Sequence, residues 1–338
     1  MTASTPASNQ FVVTPLPDFR LGVSEPLPVG LKRLTTNELA TAASRFYDGE
    51  EAFPTAVHGA RKSTKRVRSV LRLVRADLGK KIYAYEYNEM RGVSRRISHV
   101  RDSFVAVECI DTLDRLYGHL LADGMLEETR QNLDLKRQST ELRAMEDPEL
   151  VLSVVETFER AYGRYSNWPI DQSSRPVYGG GVRDEFAAIR PGLKQSYRRG
   201  RNRMVRAYSD PTVVKFHEWR RSVKYLRHQM EILTPLWPEV VVGMAITLER
   251  VGEILGQDHD LAMLTDKLAA DPSLCPDPAL RSLILAIANQ RRSDLQTAAR
   301  ILGRRVFAER PDALTGRYEV YWESRDHDAV AALEAIAL

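Results

Sequence analysis

Cysteine is nearly absent: Cys109 and Cys275 are the only two in 338 residues. That is too few for a disulfide framework or a zinc site, and it fits a reducing cytosol. Long apolar runs are missing too. The longest, residues 240–246, falls far short of the roughly 20 residues of a membrane helix, so no membrane partner is expected. The opening MTASTPASNQFVVTPLPDFR lacks the basic and then apolar order of a secretory signal. A cytoplasmic location is therefore expected. Aromatic residues make up only 8%, and the basic stretches hold few rings for stacking single-stranded bases. No glycine-rich phosphate loop precedes a helix, no carboxylate cluster suits magnesium, and no activated nucleophile stands out. The expectation is a non-catalytic protein without cofactor or metal. Strand-type alternation between turns is scarce, which points to an all-α fold.

What is present is helical patterning with segregated charge. Hydrophobic content of 43% can fill a core. The net charge is only +4, yet residues 61–101 hold 13 Lys/Arg against 3 Asp/Glu, and residues 194–227 hold 11 against 2. Residues 102–160 reverse this, with 14 acidic against 6 basic. Such segregation creates a local positive field far stronger than the net charge suggests. Residues 1–30, rich in Pro, Ser and Thr, read as an irregular lead-in. Thr35, Thr36, Asn37 and Glu38 look like a helix start, and Pro54-Thr55 like another. Further helices are expected over 82–99, 102–122, 127–145 and 148–165. A Pro/Gly/Ser-rich joint follows at 167–181, then helices over 190–209, 211–234, 238–255, 259–270 and 278–309. A last one closes the chain over 326–336. The expected division is a first helical half over 31–166, the joint, a second half over 182–325, and a C-terminal helix over 326–338.

Two stretches carry the argument. In FHEWRRSVKYLRHQMEIL, residues 216–233, an apolar stripe runs through Phe216, Trp219, Val223, Leu226, Met230 and Leu233. Beside it His217, Arg220, Lys224 and Arg227 recur at steps of three, four and three. On a helix those four fall within an arc of about 80°. VHGARKSTKRVRSVLRLV, residues 57–74, repeats both stripes. Its cations are His58, Arg61, Lys65 and Arg68, and its seam is Val57, Ala60, Thr64, Val67, Leu71 and Val74. The offset is 217 − 58 = 159 for every member, which marks an internal duplication. Other positions diverge: Arg66 answers to Tyr225, and Arg72 to Glu231. Lys62 and Arg221 also pair at this offset.

The doubled H-x-x-R-x-x-x-K-x-x-R resembles the CHAD family, the conserved histidine α-helical domain. GLKQSYRRGRNRM (192–204) is similar to the family's basic helix before its second histidine, and LGQDHDLAML (255–264) to its LG-x-x-x-D turn. ARILGRRVFAERPDALTGRYEVYW (299–322) resembles its C-terminal segment. The resemblance implies two duplicated helical bundles about a pseudo-twofold axis, with a basic central channel, over 31–325. It also implies inorganic polyphosphate as the ligand, held without reaction, and a place at cytoplasmic polyphosphate granules.

The chemistry fits that implication. Polyphosphate presents about one charge per phosphate and no bases, so its receptor needs many donors and no edge-reading groups. Arginine supplies a planar fork for two oxygens, and lysine a movable point charge. A cation every turn gives a row with a spacing of about 5 Å. The candidate ligand groups are His58, Arg61, Lys62, Lys65, Arg68, His217, Arg220, Arg221, Lys224 and Arg227. Arg95, Arg96 and Arg101 join them from the intervening helices, and Tyr197, Arg198 and Arg201 from the YRRGR stretch, where Gly200 permits a close approach. Asp102 and Asp260, in the LG-x-x-x-D-like turns, are expected to cap helices or to orient a basic side chain. Ser98 stands where the second turn has Gly256.

Three other readings compete. His217, His259-Asp260 and Asp266 fall in the H…HD…D order of helical metal-dependent phosphohydrolases, with Asp258 adjacent. Three cations share the face of His217, however, and they oppose a divalent ion. Basic helices also bind nucleic-acid backbones, although no groove-reading motif is present. The third reading is a scaffold whose basic faces meet an acidic protein.

Overall fold

The computed structural model describes residues 19–23, 25–47, 53–167 and 181–325. The chain folds as an all-α protein, with eleven α-helices and no strand among the described residues. They are α1 (Leu27–Tyr47), α2 (Phe53–Leu73), α3 (Arg75–Arg96), α4 (Ser98–Tyr117), α5 (Glu127–Met145) and α6 (Pro148–Ser166). Then come α7 (Phe186–Ser209), α8 (Val213–Leu233), α9 (Pro238–Ala270), α10 (Pro278–Val306) and α11 (Pro311–Glu323). Residues 1–18 of the expected lead-in, nearly all of the joint and the C-terminal helix over 326–338 lie outside the described residues.

Starts follow local chemistry. Asp147 caps α6 by accepting from the Leu150 amide at 3.0 Å, Thr212 caps α8 through the Lys215 amide, and Asp277 caps α10 through the Ala279 amide. Four helices open on Pro where its missing N–H has no helical partner to lose. The 159-residue offset reaches the helix bounds: Leu27 moves to 186, where α7 begins, and Phe53 to 212, one residue before α8.

Several boundaries differ from expectation. The lead-in ends before Gly30, because α1 already starts at Leu27 and Phe19 and Leu21 are buried. Thr35 and Thr36 do not cap a helix. They lie inside α1, and their hydroxyls donate to carbonyls one turn back. Residues 238–255 and 259–270 form one helix of 33 residues, about 50 Å long. LGQDHD is therefore mid-helix and not a turn. Gly256 lies under the Arg220 guanidinium, where a Cβ would stand 3.4 Å from Nη2, an ordinary van der Waals contact. The first half does break at the matching place, at Ile97 between α3 and α4. Neither Asp102 nor Asp260 caps a helix, since both sit inside one.

The buried apolar residues divide differently from the two sequence halves. A large core joins α1, α2, α3, α6, α7, α8, the first part of α9 and α11, with Val100, Ala144, Ala299 and Val306 added from α4, α5 and α10. A smaller one joins α4, α5, the last part of α9 and α10. Each takes helices from both halves, and α9 runs through both. α7 lies against the end of α2 so closely that a Cβ on Gly192 would fall 2.0 Å from the Leu73 carbonyl oxygen and 2.4 Å from that of Arg72. Both obstacles are backbone and cannot swing aside. Gly192→Ala should therefore destabilise the fold by roughly 1–3 kcal/mol through overpacking. Thermal or urea unfolding measures this, and an unchanged midpoint would show that α7 is not so closely seated.

Candidate functional site: the facing cationic rows of α2 and α8

Both seams pack as the spacing predicts. Val57, Ala60, Thr64, Val67 and Leu71 on α2 and Val74 just beyond it are buried, as are Phe216, Trp219, Val223, Leu226, Met230 and Leu233 on α8. The helices meet directly, Gln229 Nε2 donating to the Ser69 carbonyl at 3.2 Å. With the seams fixed, the cation rows beside them are fixed too. They point toward each other. Burial pushes Lys65 well below the usual lysine range, and repulsion from Lys224, Arg61, Arg220 and Arg68 adds to it. Lys224 falls to about 7, chiefly through burial and then through Arg220, with Arg227 and Arg61 contributing. Burial also lowers Arg61 and Arg220; Arg101 repels both, and Arg220 adds to the repulsion on Arg61.

Two carboxylates temper this field. Asp102 acts on Arg61, while Asp260 acts on Arg220 and Lys224. Neither makes a hydrogen bond or ion pair with these cations among the described residues, so each acts as a nearby charge and does not fix a side chain's orientation. The Nε atoms of Arg68 and Arg220 are buried without a hydrogen-bond partner among the described residues. Arg101 faces the rows while bonding Glu108 at 3.0 Å. The site thus gathers cations with few anions and leaves some buried N–H groups unused, which concentrates positive potential there.

The histidines are unequal. His58 is exposed. His217 is half-buried against His259, with ring centroids 4.3 Å apart. Burial, then Arg220 and Arg221, lowers His217 to about 4; burial, then His217 and Arg220, lowers His259 to about 3. Both are neutral at pH 7, and neither Nδ1 has a partner among the described residues. Each can donate one N–H without adding charge to a crowded site.

Other predicted residues lie elsewhere. Tyr197 is sealed in the core, its hydroxyl donating to the Val306 carbonyl at 3.0 Å and its ring tilted against Phe307. Gly200 admits that Phe307 ring, not a ligand. Arg201 shares the Tyr197 side of α7, and Arg198 is exposed. Arg96 is committed to α6, bonding the Ser153 carbonyl at 2.9 Å and Thr157 Oγ1 at 3.0 Å. Arg95 is exposed at the end of α3. Arg227 is held by Glu231 at 2.7 Å and Glu249 at 2.8 Å. Lys62 stands among Arg66, Glu38, Arg227 and Glu231, off the main rows. The sequence reading missed a separate group, Arg72 with Arg199 and Arg203, on the side of α7 opposite Tyr197. Arg72 escaped because its repeat partner is Glu231, so a search for shared cations passes over it.

Among the described residues no three His, Cys, Asp or Glu side chains converge as a metal site requires. Asp258, the extra carboxylate of the hydrolase reading, is bonded by Arg292 at 3.1 Å and Gln296 at 2.9 Å. No helix among the described residues is long and apolar enough to cross a membrane.

The family model of the CHAD domain matches residues 32–269. This chain belongs to the CHAD family. Both cation rows and LGQDHD lie inside the match, while α10 and α11 lie beyond it. Among solved structures the CHAD fold here is similar to PptA from Streptomyces chartreusis, at 16% identity and a TM-score of 0.54. The likeness covers 81% of this chain and 98% of that one. No curated protein sequence matches.

Lys224 gives the site a pH signature. Its folded value of about 7 lies below the ordinary 10.5. Below pH 7 both folded and unfolded chains hold the proton, and the folded chain bears the full repulsion. From there toward 10.5 the unfolded chain binds more protons, so stability rises with pH. Lys224→Met should therefore be more stable than the parent by roughly 1–4 kcal/mol at pH 7, with the gap closing toward pH 10. Urea unfolding across that range tests it, and a constant gap would mean that Lys224 titrates as an ordinary lysine.

Proposed function

We propose that this chain binds inorganic polyphosphate between the α2 and α8 rows and performs no reaction on it. Arg61, Lys65, Arg68, Arg101, Arg220 and Lys224 are the principal ligand groups, with His217 and His259 as neutral donors. One observation carries this reading: two rows from separate helices turn their cations into one partly buried space, where Lys65 and Lys224 repel each other. Such an arrangement is costly when empty. A bound polyanion relieves the cost, so ligand stabilises the fold by linkage.

A pseudo-twofold relation between the halves and a basic channel along their contact belong to this reading, and the 159-residue recurrence of helix starts supports both. The family resemblance supports polyphosphate over other polyanions. A cytoplasmic role at polyphosphate granules follows from the same resemblance. The rows hold few aromatic rings on which bases could stack, which favours a plain phosphate chain over single-stranded nucleic acid.

The test is calorimetric titration with long polyphosphate, triphosphate and a single-stranded oligonucleotide at one ionic strength. Long polyphosphate should bind most tightly and should displace the oligonucleotide at far lower concentration than the reverse. Arg220→Glu with Lys224→Glu should weaken polyphosphate binding at least ~100-fold, two charge-assisted contacts at about 1.5 kcal/mol each, with helical circular dichroism retained. Equal affinity in the double variant would remove the site. Tighter oligonucleotide binding would make this a nucleic-acid protein.

A further inference from the structure

The flank of the α2/α8 contact that faces α3 and α7 carries cations outside the facing rows. Arg72 lies one turn beyond Arg68. Its guanidinium stands 4.2 Å from the Tyr225 ring centroid and 4.9 Å from that of Tyr87, and its Nη2 donates to Tyr87 Oη at 2.8 Å. The Tyr87 and Tyr225 hydroxyls are 3.0 Å apart. Tyr83 stacks on Tyr87 at 5.4 Å, and Arg75 covers Tyr83 at 4.8 Å. The rings hold the guanidinium planes by their faces, which leaves N–H edges free to meet an acceptor. Arg72 Nε is buried with no partner among the described residues.

α7 closes this flank with a row at steps of four. Gln195 accepts from Arg75 Nη1 at 3.4 Å, Arg203 Nη1 donates to Ser222 Oγ at 2.8 Å, and Arg199 lies between them on the same face. Arg199 is repelled by Arg72, Arg203 and Arg75, and Arg203 by Arg221 and Arg72. Among the described residues the carboxylate within ion-pair reach of these five arginines is Glu218, 3.7 Å from Arg203 Nε.

The other flank is built in the opposite sense. At the repeat offset Glu231 stands for Arg72, and Arg66 for Tyr225. There Arg66 pairs with Glu38 at 2.5 Å, and Arg227 with Glu231 and Glu249. One flank is neutralised by its own carboxylates and the other is left positive. The two copies have diverged at the positions that decide this.

We propose that the α3/α7 flank is a second phosphoryl-binding station, reached by a polyphosphate chain that leaves the facing rows past Arg68 and turns over Arg72, Arg199 and Arg203. The proposal rests on the polyphosphate reading and gives the bound chain a direction: it leaves beside α7, not beside α1. Arg61 and Arg72 are 11 residues apart on α2, about 16 Å. A triphosphate is shorter than that and occupies the facing rows alone, whereas a long chain spans both stations.

Arg199→Gln tests this with little structural risk, since Arg199 makes no hydrogen bond or ion pair with a described residue. Long polyphosphate should bind that variant about tenfold more weakly, one charge-assisted contact, with triphosphate affinity unchanged. The phenol of Tyr87 supplies an independent readout. Burial alone would raise it, but Arg72, the Tyr225 hydrogen bond and Arg68 bring it down to about 8. By ultraviolet difference titration, with Tyr87→Phe as the blank, long polyphosphate, which reaches Arg72 as well as Arg68, should move that ionisation upward further than triphosphate, which reaches Arg68 alone. If Arg199→Gln binds long chains like the parent, or loses triphosphate equally, the second station is wrong while the facing rows stand. If the Arg220/Lys224 double variant keeps full affinity, the facing rows themselves fall.

Discussion

Repulsion between half-buried cations is the constraint around which this molecule is arranged. Lys65 and Lys224 meet across the α2/α8 contact with Arg61 and Arg220 beside them, and Asp102 and Asp260 offset only part of their charge. Left to themselves the rows would part. What holds them is the apolar seam one helical step away, where Trp219, Val223, Leu226 and Met230 are wholly buried, as are Val67 and Leu71. Hydrophobic burial of that kind contributes roughly 1.5–3 kcal/mol for each large side chain, enough in sum to keep like charges together. The core therefore sets the geometry of the site directly.

The fold was largely legible in the sequence, because helical periodicity and end signals are local. Asp147-Pro148 and Asp277-Pro278 announce helix starts at the places where they occur. Tertiary demands defeated the local signals elsewhere. Thr35 and Thr36 have cap chemistry, yet Leu27, Leu31, Leu34 and Leu39 continue one buried stripe through them and the helix does not break. Gly256 reads as a turn residue, yet it lies inside the 33-residue α9, under the Arg220 guanidinium. The division into two cores was also out of reach, because it depends on which helices meet.

The candidate site was legible where the two copies agree and obscure where they differ. The rows on α2 and α8 follow from a shared spacing and need no coordinates. On α7 the basic stretch YRRGRNR offers arginines on every side, and sequence alone does not say which side is inward. Leu193, Tyr197 and Gly200 turn toward the core, which leaves Arg199 and Arg203 facing α2 and α8. Arg72 was hidden for a different reason. It belongs to one copy alone, and a duplication draws attention to what is common.

A lysine poised near neutrality changes the charge of the site. With Lys224 at about 7 and the His217/His259 pair uncharged, the pocket carries less positive charge at rest than a count of its basic residues implies. Small monovalent anions, abundant in any cell, gain little by entering. The chain of linked charges proposed as ligand would lift the affinity of those nitrogens for protons as it arrived, and so complete the field that retains it. On the proposed reading, loading would take up hydrogen ions, and alkaline conditions would favour release.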